Sequence, residues 1–468
     1  MINGAPNQRP LTRWLEKSSP VVFSIYAMLA AFSTYFCMYA FRKPFGAATF
    51  EGLKFLDTEI NLKTAFVISQ IIGYTISKYM GCKFCSEIGR AYQAKALVAM
   101  IIIAQLALLG FAVLPENLKV AAIFINGVPL GMVWGLVSRY LEGRKTAELL
   151  FAGLSCSYIL ASSSVRTVGG WAMDTFPEKT VAIFVPFTDI LIFELPKGYL
   201  LETGVSQFWM PATVGALFLV PFFLSVFFLN QLPPPSEEDI TNRSERTIMD
   251  GKGRAGFIRQ FLVGMILLLV LYFFLTAYRD FRDNYMPEVF TAMGYASEPT
   301  LFSRADYPIA FGIMVVMALL NLAKNHRRGL LAVFAVMISG MLLMGVATVL
   351  KDMGTINGMW WMILIGFGAY LAYVPFGAVL FERVMASTKA AGTAVFAIYL
   401  CDAIGYTGSV GIQLYKDLGH PNLDYYQFLR LFTYAMAVAG TVLFLLSSVY
   451  FYRKSVACIS QQPEGAEA

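Results

Sequence analysis

The chain has 468 residues, of which 57% are hydrophobic and 14% are charged, and its mean hydropathy is +0.61. These proportions exclude a soluble globular protein and a disordered chain, because both carry far more charged surface. The net charge of +6 comes from 36 basic and 30 acidic residues spread between apolar blocks, so nucleic acid is not an expected partner. The composition predicts a polytopic protein of the lipid bilayer.

Twelve apolar runs are long enough to cross a bilayer as helices. A shorter run at 181–193 is interrupted by Pro186 and Asp189, and it predicts a re-entrant or surface-lying loop rather than a thirteenth span. We therefore predict an all-α polytopic membrane protein with twelve transmembrane helices. The runs lie near 20–41, 63–81, 94–113, 119–138, 149–173, 207–230, 257–278, 307–323, 329–350, 357–381, 390–413 and 431–452.

The loops between these runs differ in their basic residues. One set of loops, together with both termini, holds 21 Lys and Arg residues, and the opposite set holds 10. Because basic residues concentrate on the cytoplasmic side, both termini are predicted to be cytoplasmic. We expect an integral protein of the plasma (inner) membrane.

The chain divides into two halves of six runs each. A Pro-rich and charged segment at 231–255 is typical of an exposed cytoplasmic linker, and it separates 1–230 from 256–468 with its cytoplasmic tail. Val128-Pro-Leu-Gly131 in the fourth run matches Val374-Pro-Phe-Gly377 in the tenth, 246 residues later. This pattern predicts two pseudo-symmetric six-helix halves, with a solute site between them near the bilayer midplane.

Five basic residues fall inside the runs or at their edges: Arg42, Lys43, Lys78, Arg166 and Arg279. A cation at the bilayer centre costs about 2.5–3.5 kcal/mol, so it needs protein, water or a ligand around it. Arg42 and Arg279 are 237 residues apart and occupy equivalent positions in the two halves. Either both extend to the headgroups, or their guanidinium groups converge on a phosphate or carboxylate.

Tyr35, Tyr39 and Tyr74 lie at helical spacing from Arg42 or Lys78. Each tyrosine alone fits packing or an interfacial belt, but three beside cations suggest a polar cavity. Asp402 lies mid-span in the eleventh run and is a counter-ion, a proton site or a neutral core residue. Arg166 is closer to the outer end of its run, where it either extends to the headgroups or serves as a coupling or counter-ion residue.

These residues form motifs that resemble a known family. Tyr35-x-x-x-Tyr39-x-x-Arg42-Lys43-x-Phe45, Tyr74-x-x-Ser77-Lys78-Tyr79 and Arg279 eight residues before Pro287 resemble helices one, two and seven of the organophosphate:phosphate antiporters of the major facilitator superfamily. Lys389-Ala-Ala-Gly-Thr-Ala394 with Gly405-Tyr406 resembles helix eleven.

The resemblance implies roles for particular residues. Arg42 and Arg279 would grip a substrate phosphate, and Lys78, Tyr35, Tyr39 and Tyr74 would line the same pocket. The helix-five histidine of that family has no counterpart here, and Tyr158 of Cys156-Ser-Tyr158 is the expected substitute. Helices two and eleven are neighbours in the superfamily, so Asp402 is expected within reach of Lys78.

The function predicted from these observations is secondary active transport of a small anion, phosphate- or carboxylate-bearing, by alternating access. A membrane-embedded solute sensor built on the same fold is the alternative. An enzyme is not expected, because the two histidines, His326 and His420, lie in predicted loops and no catalytic cluster is evident. We expect no cofactor or metal, protons or inorganic phosphate as the counter-substrate, and a monomer.

Overall fold

The computed structural model describes residues 10–460 except 57, 59, 143, 145, 176–181, 185–190, 195–199, 202–203, 236–250, 297, 324, 389–393 and 421. Within these residues, twelve helices are 18 residues or longer. We number them α1 (Pro20–Tyr39), α2 (Leu62–Glu87), α3 (Arg90–Val113), α4 (Glu116–Leu141), α5 (Ala147–Thr175), α6 (Met210–Leu229), α7 (Leu262–Asn284), α8 (Thr300–Asn321), α9 (His326–Asp352), α10 (Gly358–Pro375), α11 (Ala394–Leu414) and α12 (Tyr425–Ser460).

Local sequence signals set several helix ends. Ser19 caps α1 by accepting a hydrogen bond from the Val22 amide, and Pro20 occupies the first turn, where its missing N–H costs nothing. Asn325 and Asn357 cap α9 and α10 in the same way. At the other end of α1, Pro44 follows four residues of turn and begins a short 3₁₀-helix, Pro44–Ala47.

Ten helices of the described residues are both long and apolar enough to cross a membrane. The remaining long helices, α2 and α11, carry Lys63, Lys78 and Asp402. These two helices pack against each other between the halves. Their polar side chains therefore face protein rather than lipid, as intramembrane ionisable groups generally do.

Each half has its own hydrophobic core. One cluster of buried residues runs from Leu15 to Leu232, and the other runs from Phe257 to Phe451. The halves meet mainly where α2 packs on α11 and α5 packs on α8. Only Tyr406 from the second half belongs to the first cluster, and only Ala152 and Ile159 from the first half belong to the second.

The shorter elements lie between the long helices. Helices Pro10–Lys17, Gly251–Gln260, Met286–Ala292 and Phe381–Thr388 precede or follow long helices, and π-helical turns span Phe376–Leu380 and Tyr415–Gly419. The run at 181–193, predicted as a re-entrant or surface-lying loop, contains strands β1 (Ala182–Phe184) and β2 (Leu191–Glu194), which pair antiparallel. A second antiparallel pair joins β3 (Leu200–Leu201) and β4 (Gly204–Val205).

The two Val-Pro-x-Gly motifs differ in their packing. In α4, a side chain at Gly131 would lie 2.6 Å from the Tyr74 carbonyl oxygen, so glycine there allows α2 to pass closely. Gly377 has no described neighbour within 4 Å of its corresponding position, and Pro375 ends α10 at a π-helical turn. The motif of the first half therefore brings α4 close to the Tyr74 backbone, whereas no corresponding contact is described at Gly377.

Most of the predicted linker at 231–255 lies outside the described residues, and the domain boundaries stay a prediction.

Candidate solute site between the halves

The backbone around Arg42 is held by two buried amide side chains. Arg42 lies in the turn after α1, where its N–H donates to the Tyr39 carbonyl. The Gln70 side-chain amide of α2 donates to the Arg42 carbonyl at 3.0 Å, and Asn126 of α4 donates to the Phe41 carbonyl at 2.9 Å. Gln70 also donates to Asn126 at 2.8 Å. Three elements therefore fix the position from which the Arg42 side chain extends.

The Arg42 guanidinium lies among tyrosine rings rather than among lipid headgroups. The residue is 3% exposed, and its guanidinium carbon is 3.9 Å from the Tyr74 ring centroid and 5.8 Å from those of Tyr39 and Tyr406. Within the described residues, no carboxylate pairs with Arg42, and its Nε is buried without a hydrogen-bond partner. A buried cation in this state retains hydrogen-bonding capacity for an anion.

Arg279 in α7 approaches the same tyrosine from the other half. Its guanidinium carbon is 6.0 Å from the Tyr406 ring centroid and 4.1 Å from that of Tyr373. Unlike Arg42, it is paired: Nη2 donates to Asp280 Oδ1 at 2.6 Å, and Nε donates to the same oxygen at 3.2 Å. Ser409 of α11 donates to Asp280 Oδ2 at 2.9 Å. The two arginines therefore occupy equivalent positions but have different electrostatic environments.

Lys78 and Asp402 form an ion pair between the halves. Lys78 Nζ is 3.1 Å from Asp402 Oδ2, and the side chains are 3% and 14% exposed. The Tyr272 hydroxyl donates to Asp402 Oδ1 at 2.8 Å. One helical turn away, Tyr74 and Tyr406 meet edge to face with ring centroids 4.9 Å apart. Of the three roles considered for Asp402, the geometry in this structure matches that of a counter-ion to Lys78.

Further aromatic rings connect the two halves. Tyr35 contacts Tyr39 and Trp134 with centroid separations of 5.6 and 4.9 Å. Trp134 contacts Tyr158 at 6.1 Å, and Tyr158 contacts Tyr373 of the second half at 6.3 Å. The structure therefore brings the predicted residues Tyr35, Tyr39 and Tyr158 into one aromatic lining that reaches the ring over which Arg279 lies.

Arg166 does not extend to the headgroups. It is 1% exposed, donates to the Asp283 side chain and carbonyl, and lies 3.8 Å from Asp306. Lys43 is 2.6 Å from Asp283, and Arg282 is 3.0 Å from Asp306. We call these five residues the inter-half ion network, because Lys43 and Arg166 belong to the first half and the others to the second. It joins the halves at the end of the bundle where α1 and α7 finish.

A second ion pair reinforces the same end. Lys63 in the first turn of α2 is 2.5 Å from Glu288, which lies just after α7. The Thr64 and Tyr285 hydroxyls are 2.9 Å apart, and Asn61 donates to the Tyr425 hydroxyl at 3.0 Å. This end of the bundle, predicted to be the outer one, is closed in this structure.

Sequence reasoning missed the acidic partners of these cations. The seventh run was predicted to end near 278, but α7 continues to Asn284, so Asp280 and Asp283 lie inside the helix. Arg282, one of the ten basic residues counted in the second set of loops, was assigned to a loop for the same reason; that assignment was wrong, because Arg282 lies within α7 and is 2% exposed. Asp283 follows Arg279 by four residues, which indicates a shared helix face, but the spacing gives no signal for the observed pairs of Arg279 with Asp280 and of Asp283 with Lys43 and Arg166.

A family model described as a family of unknown function (DUF5690) matches residues 44–200 and 195–454. The chain belongs to the DUF5690 family. No curated protein matches its sequence.

Two solved structures resemble the DUF5690 chain in fold. A D-xylose-proton symporter has 13% sequence identity and a TM-score of 0.54, and the match covers 96% of this chain and 99% of that one. An inward-open structure of the xylose transporter XylE from E. coli has 14% identity and a TM-score of 0.52, with coverage of 89% and 94%. At such identities the likeness shows the fold alone.

These likenesses confirm the predicted fold class, so the DUF5690 chain is an integral membrane protein with the major facilitator fold. They do not support the narrower resemblance to the organophosphate:phosphate antiporters, which stays a prediction.

Proposed function

We propose that the DUF5690 protein is a secondary active transporter that moves a small anionic solute by alternating access. One observation carries this proposal. The Arg42 guanidinium is 3% exposed, has no carboxylate partner within the described residues, and lies among tyrosines contributed by both halves. Burying an uncompensated charge is costly, and a bound anion would offset that cost.

The solute class follows from the cations around this space. Arginine presents a planar fork that matches the paired oxygens of a phosphate or carboxylate, and Arg42 and Arg279 reach Tyr406 from opposite halves. We propose that they contact the anion, that Lys78 and the tyrosines line its pocket, and that Asp402 acts as the Lys78 counter-ion. An organophosphate is one candidate within this class.

The inter-half ion network suggests how one side is closed. Its ion pairs join α5 and the α1 turn to α7 and α8, so the halves must separate there for this end to open. We propose that this end is the outer one, that both termini are cytoplasmic, and that the protein works as a monomer. Exchange for inorganic phosphate and coupling to protons are both compatible with this arrangement.

Ligand binding by the purified protein is the first test. A panel of inorganic phosphate, sugar phosphates and carboxylates is screened by thermal unfolding, because a ligand at 100 times its dissociation constant stabilises the folded state by about 2.7 kcal/mol. We expect at least one anion to stabilise the wild type and to have much less effect on Arg42→Gln.

Flux then separates transport from sensing. The anion that binds is followed, as a radiolabelled compound, into liposomes containing the protein. Uptake that Arg42→Gln abolishes supports transport. Tight binding without flux in either direction, under an ion gradient or in exchange, contradicts transport and favours a solute sensor.

A further inference from the structure

The two equivalent arginines of the site differ in their partners. Within the described residues, Arg279 is hydrogen-bonded to a carboxylate and Arg42 is not. Asp280 Oδ1 accepts from Nη2 of Arg279 at 2.6 Å and from Nε at 3.2 Å, and Asp280 is 3% exposed. Ser409 donates to its other carboxylate oxygen at 2.9 Å. These hydrogen bonds favour the ionised carboxylate, so Asp280 cancels the charge of Arg279 before any solute arrives.

The remaining charges of the pocket can be paired in the same way. Lys78 is cancelled by Asp402 at 3.1 Å. Lys43, which follows Arg42 along the chain, belongs to the inter-half ion network, where it shares Asp283 with Arg166. Arg42 is left as the unpaired cation among the described residues that line the pocket, and its buried Nε has no partner. The group formed by Arg42, Arg279, Lys78, Asp280 and Asp402 therefore carries one net positive charge, although it contains two arginines and a lysine.

We propose, on the basis of the proposed transport function, that Asp280 sets the charge of the solute at minus one. A monoanion neutralises the pocket, whereas a dianion leaves an excess negative charge in a low-dielectric space, which is unfavourable. The site therefore selects a carboxylate over the corresponding phosphate monoester, which carries close to two charges well above its second pKa of about 6. Asp280 is a specificity residue, because it acts through Arg279.

The experiment compares ligands that share a body and differ in charge. Dissociation constants are measured at pH 8 by calorimetry on the full chain for three pairs: butyrate and propyl phosphate, benzoate and phenyl phosphate, and glucuronate and glucose 6-phosphate. We expect each body that binds to the wild type to bind more tightly as its carboxylate.

Substitution of Asp280 then tests the cause of that preference. Asp280→Asn adds one positive charge, and since its attraction scales with ligand charge, the dianion gains more than the monoanion. We expect the phosphate-to-carboxylate affinity ratio to rise at least tenfold. Asp280→Glu keeps the charge and should keep the wild-type ratio.

Asp352→Asn is the matched control. Asp352 also pairs with an arginine, Arg430, at 2.6 Å, but it lies exposed at the end of α9, so this change should leave the ratio unaltered.

The outcomes separate this inference from the function on which it rests. A wild type that prefers phosphate monoesters, or an Asp280→Asn variant with an unchanged ratio, overturns the charge assignment and leaves anion transport standing. A wild type that binds neither these six anions nor any anion of the thermal-unfolding panel refutes the proposed function and the inference with it. If Asp280→Asn gives no folded protein, the wild-type preference together with the Asp280→Glu ratio decides.

Discussion

The Lys78–Asp402 pair supplies a prediction whose size follows from its geometry. Replacing Asp402 by asparagine removes the carboxylate 3.1 Å from Lys78 Nζ while keeping an oxygen for the Tyr272 hydroxyl, which donates to Oδ1 at 2.8 Å. The main consequence is an ammonium group that is 3% exposed and has lost its carboxylate. Asp402→Asn therefore tests the ion pair with little change in shape.

Breaking a buried ion pair from one side costs about 3–5 kcal/mol. Lys78 keeps contacts with the Tyr74 and Tyr399 rings, with Nζ 5.3 and 5.7 Å from their centroids, and such contacts are worth about 0.5–2 kcal/mol. Because these ring contacts are present in the wild type as well, they do not offset the loss, and the destabilisation expected for Asp402→Asn is about 3–5 kcal/mol. Lys78→Gln should cost less, because the Asp402 carboxylate is 14% exposed and keeps the hydrogen bond that the Tyr272 hydroxyl donates.

The double variant Lys78→Gln/Asp402→Asn contains neither charge, so it should be more stable than Asp402→Asn alone. The coupling energy between the two sites is expected near the upper end of the range for contacting residues, about 2–3 kcal/mol. Transport should follow the same order, with Asp402→Asn more damaging than the double variant. Equilibrium unfolding in mixed detergent and uptake into liposomes, on the same four proteins, measure the two quantities.

Two results would contradict this reasoning in different ways. A double variant as unstable and inactive as the worse single variant, at normal expression, would show that the pair is not simply a counter-ion pair. If Asp402→Asn keeps exchange but loses proton-driven uptake, Asp402 is a proton site.

The remaining predictions concern the arginines, the closed end and the topology. Arg42→Lys and Arg279→Lys keep the charge but lose the planar guanidinium fork, so each should weaken anion binding by about 1.5–3 kcal/mol. The larger loss is expected for Arg42, which has no carboxylate partner among the described residues. Near-wild-type dissociation constants in both variants would show that the two arginines do not belong to the site. Asp283→Asn should remove the carboxylate of Lys43 and the nearer of the two carboxylates of Arg166, and so favour opening of this end. Opening is measured as increased reactivity of a cysteine introduced at Tyr39 toward an impermeant external reagent, and unchanged reactivity would argue against the closing role. In intact cells, that reagent should label Thr355→Cys and not His326→Cys, since both positions are exposed, His326 begins α9 and Thr355 lies just beyond its other end; the reverse pattern would invert the topology.

The long helices could be predicted because their signal is local and strong. A bilayer requires about twenty apolar residues in succession, and such runs are visible in the sequence without knowledge of packing. All twelve predicted runs coincide with long helices, with ends displaced by up to eight residues. The differences of six residues or more at α2, α7, α8 and α12 arise where charged or polar residues continue the helix, and the one at α10 arises where a π-helical turn ends it.

The charge pairs at the site were harder to predict because they depend on contacts between halves. The sequence shows Arg282 and Asp283 among charged residues at the end of an apolar run, which is also the pattern of a solvent-exposed loop. Only the folded structure shows that Arg166 of α5, Asp283 of α7 and Asp306 of α8 share a buried network. The single prediction of this kind, Asp402 with Lys78, came from a resemblance that places helices two and eleven together.

The pseudo-symmetry of the two halves explains both the strength and the limit of the sequence argument. Equivalent positions placed Arg42 and Arg279 around one space, and both approach Tyr406 at about the same distance. The two positions are equivalent, but the charges beside them differ, because the residue after Arg279 is an aspartate and the residue after Arg42 is a lysine. That lysine bonds across the halves to Asp283, while the aspartate bonds to its own arginine. One repeat thus contributes a free cation to the pocket and the other contributes a neutral pair, and this asymmetry makes the pocket selective for charge as well as attractive to anions.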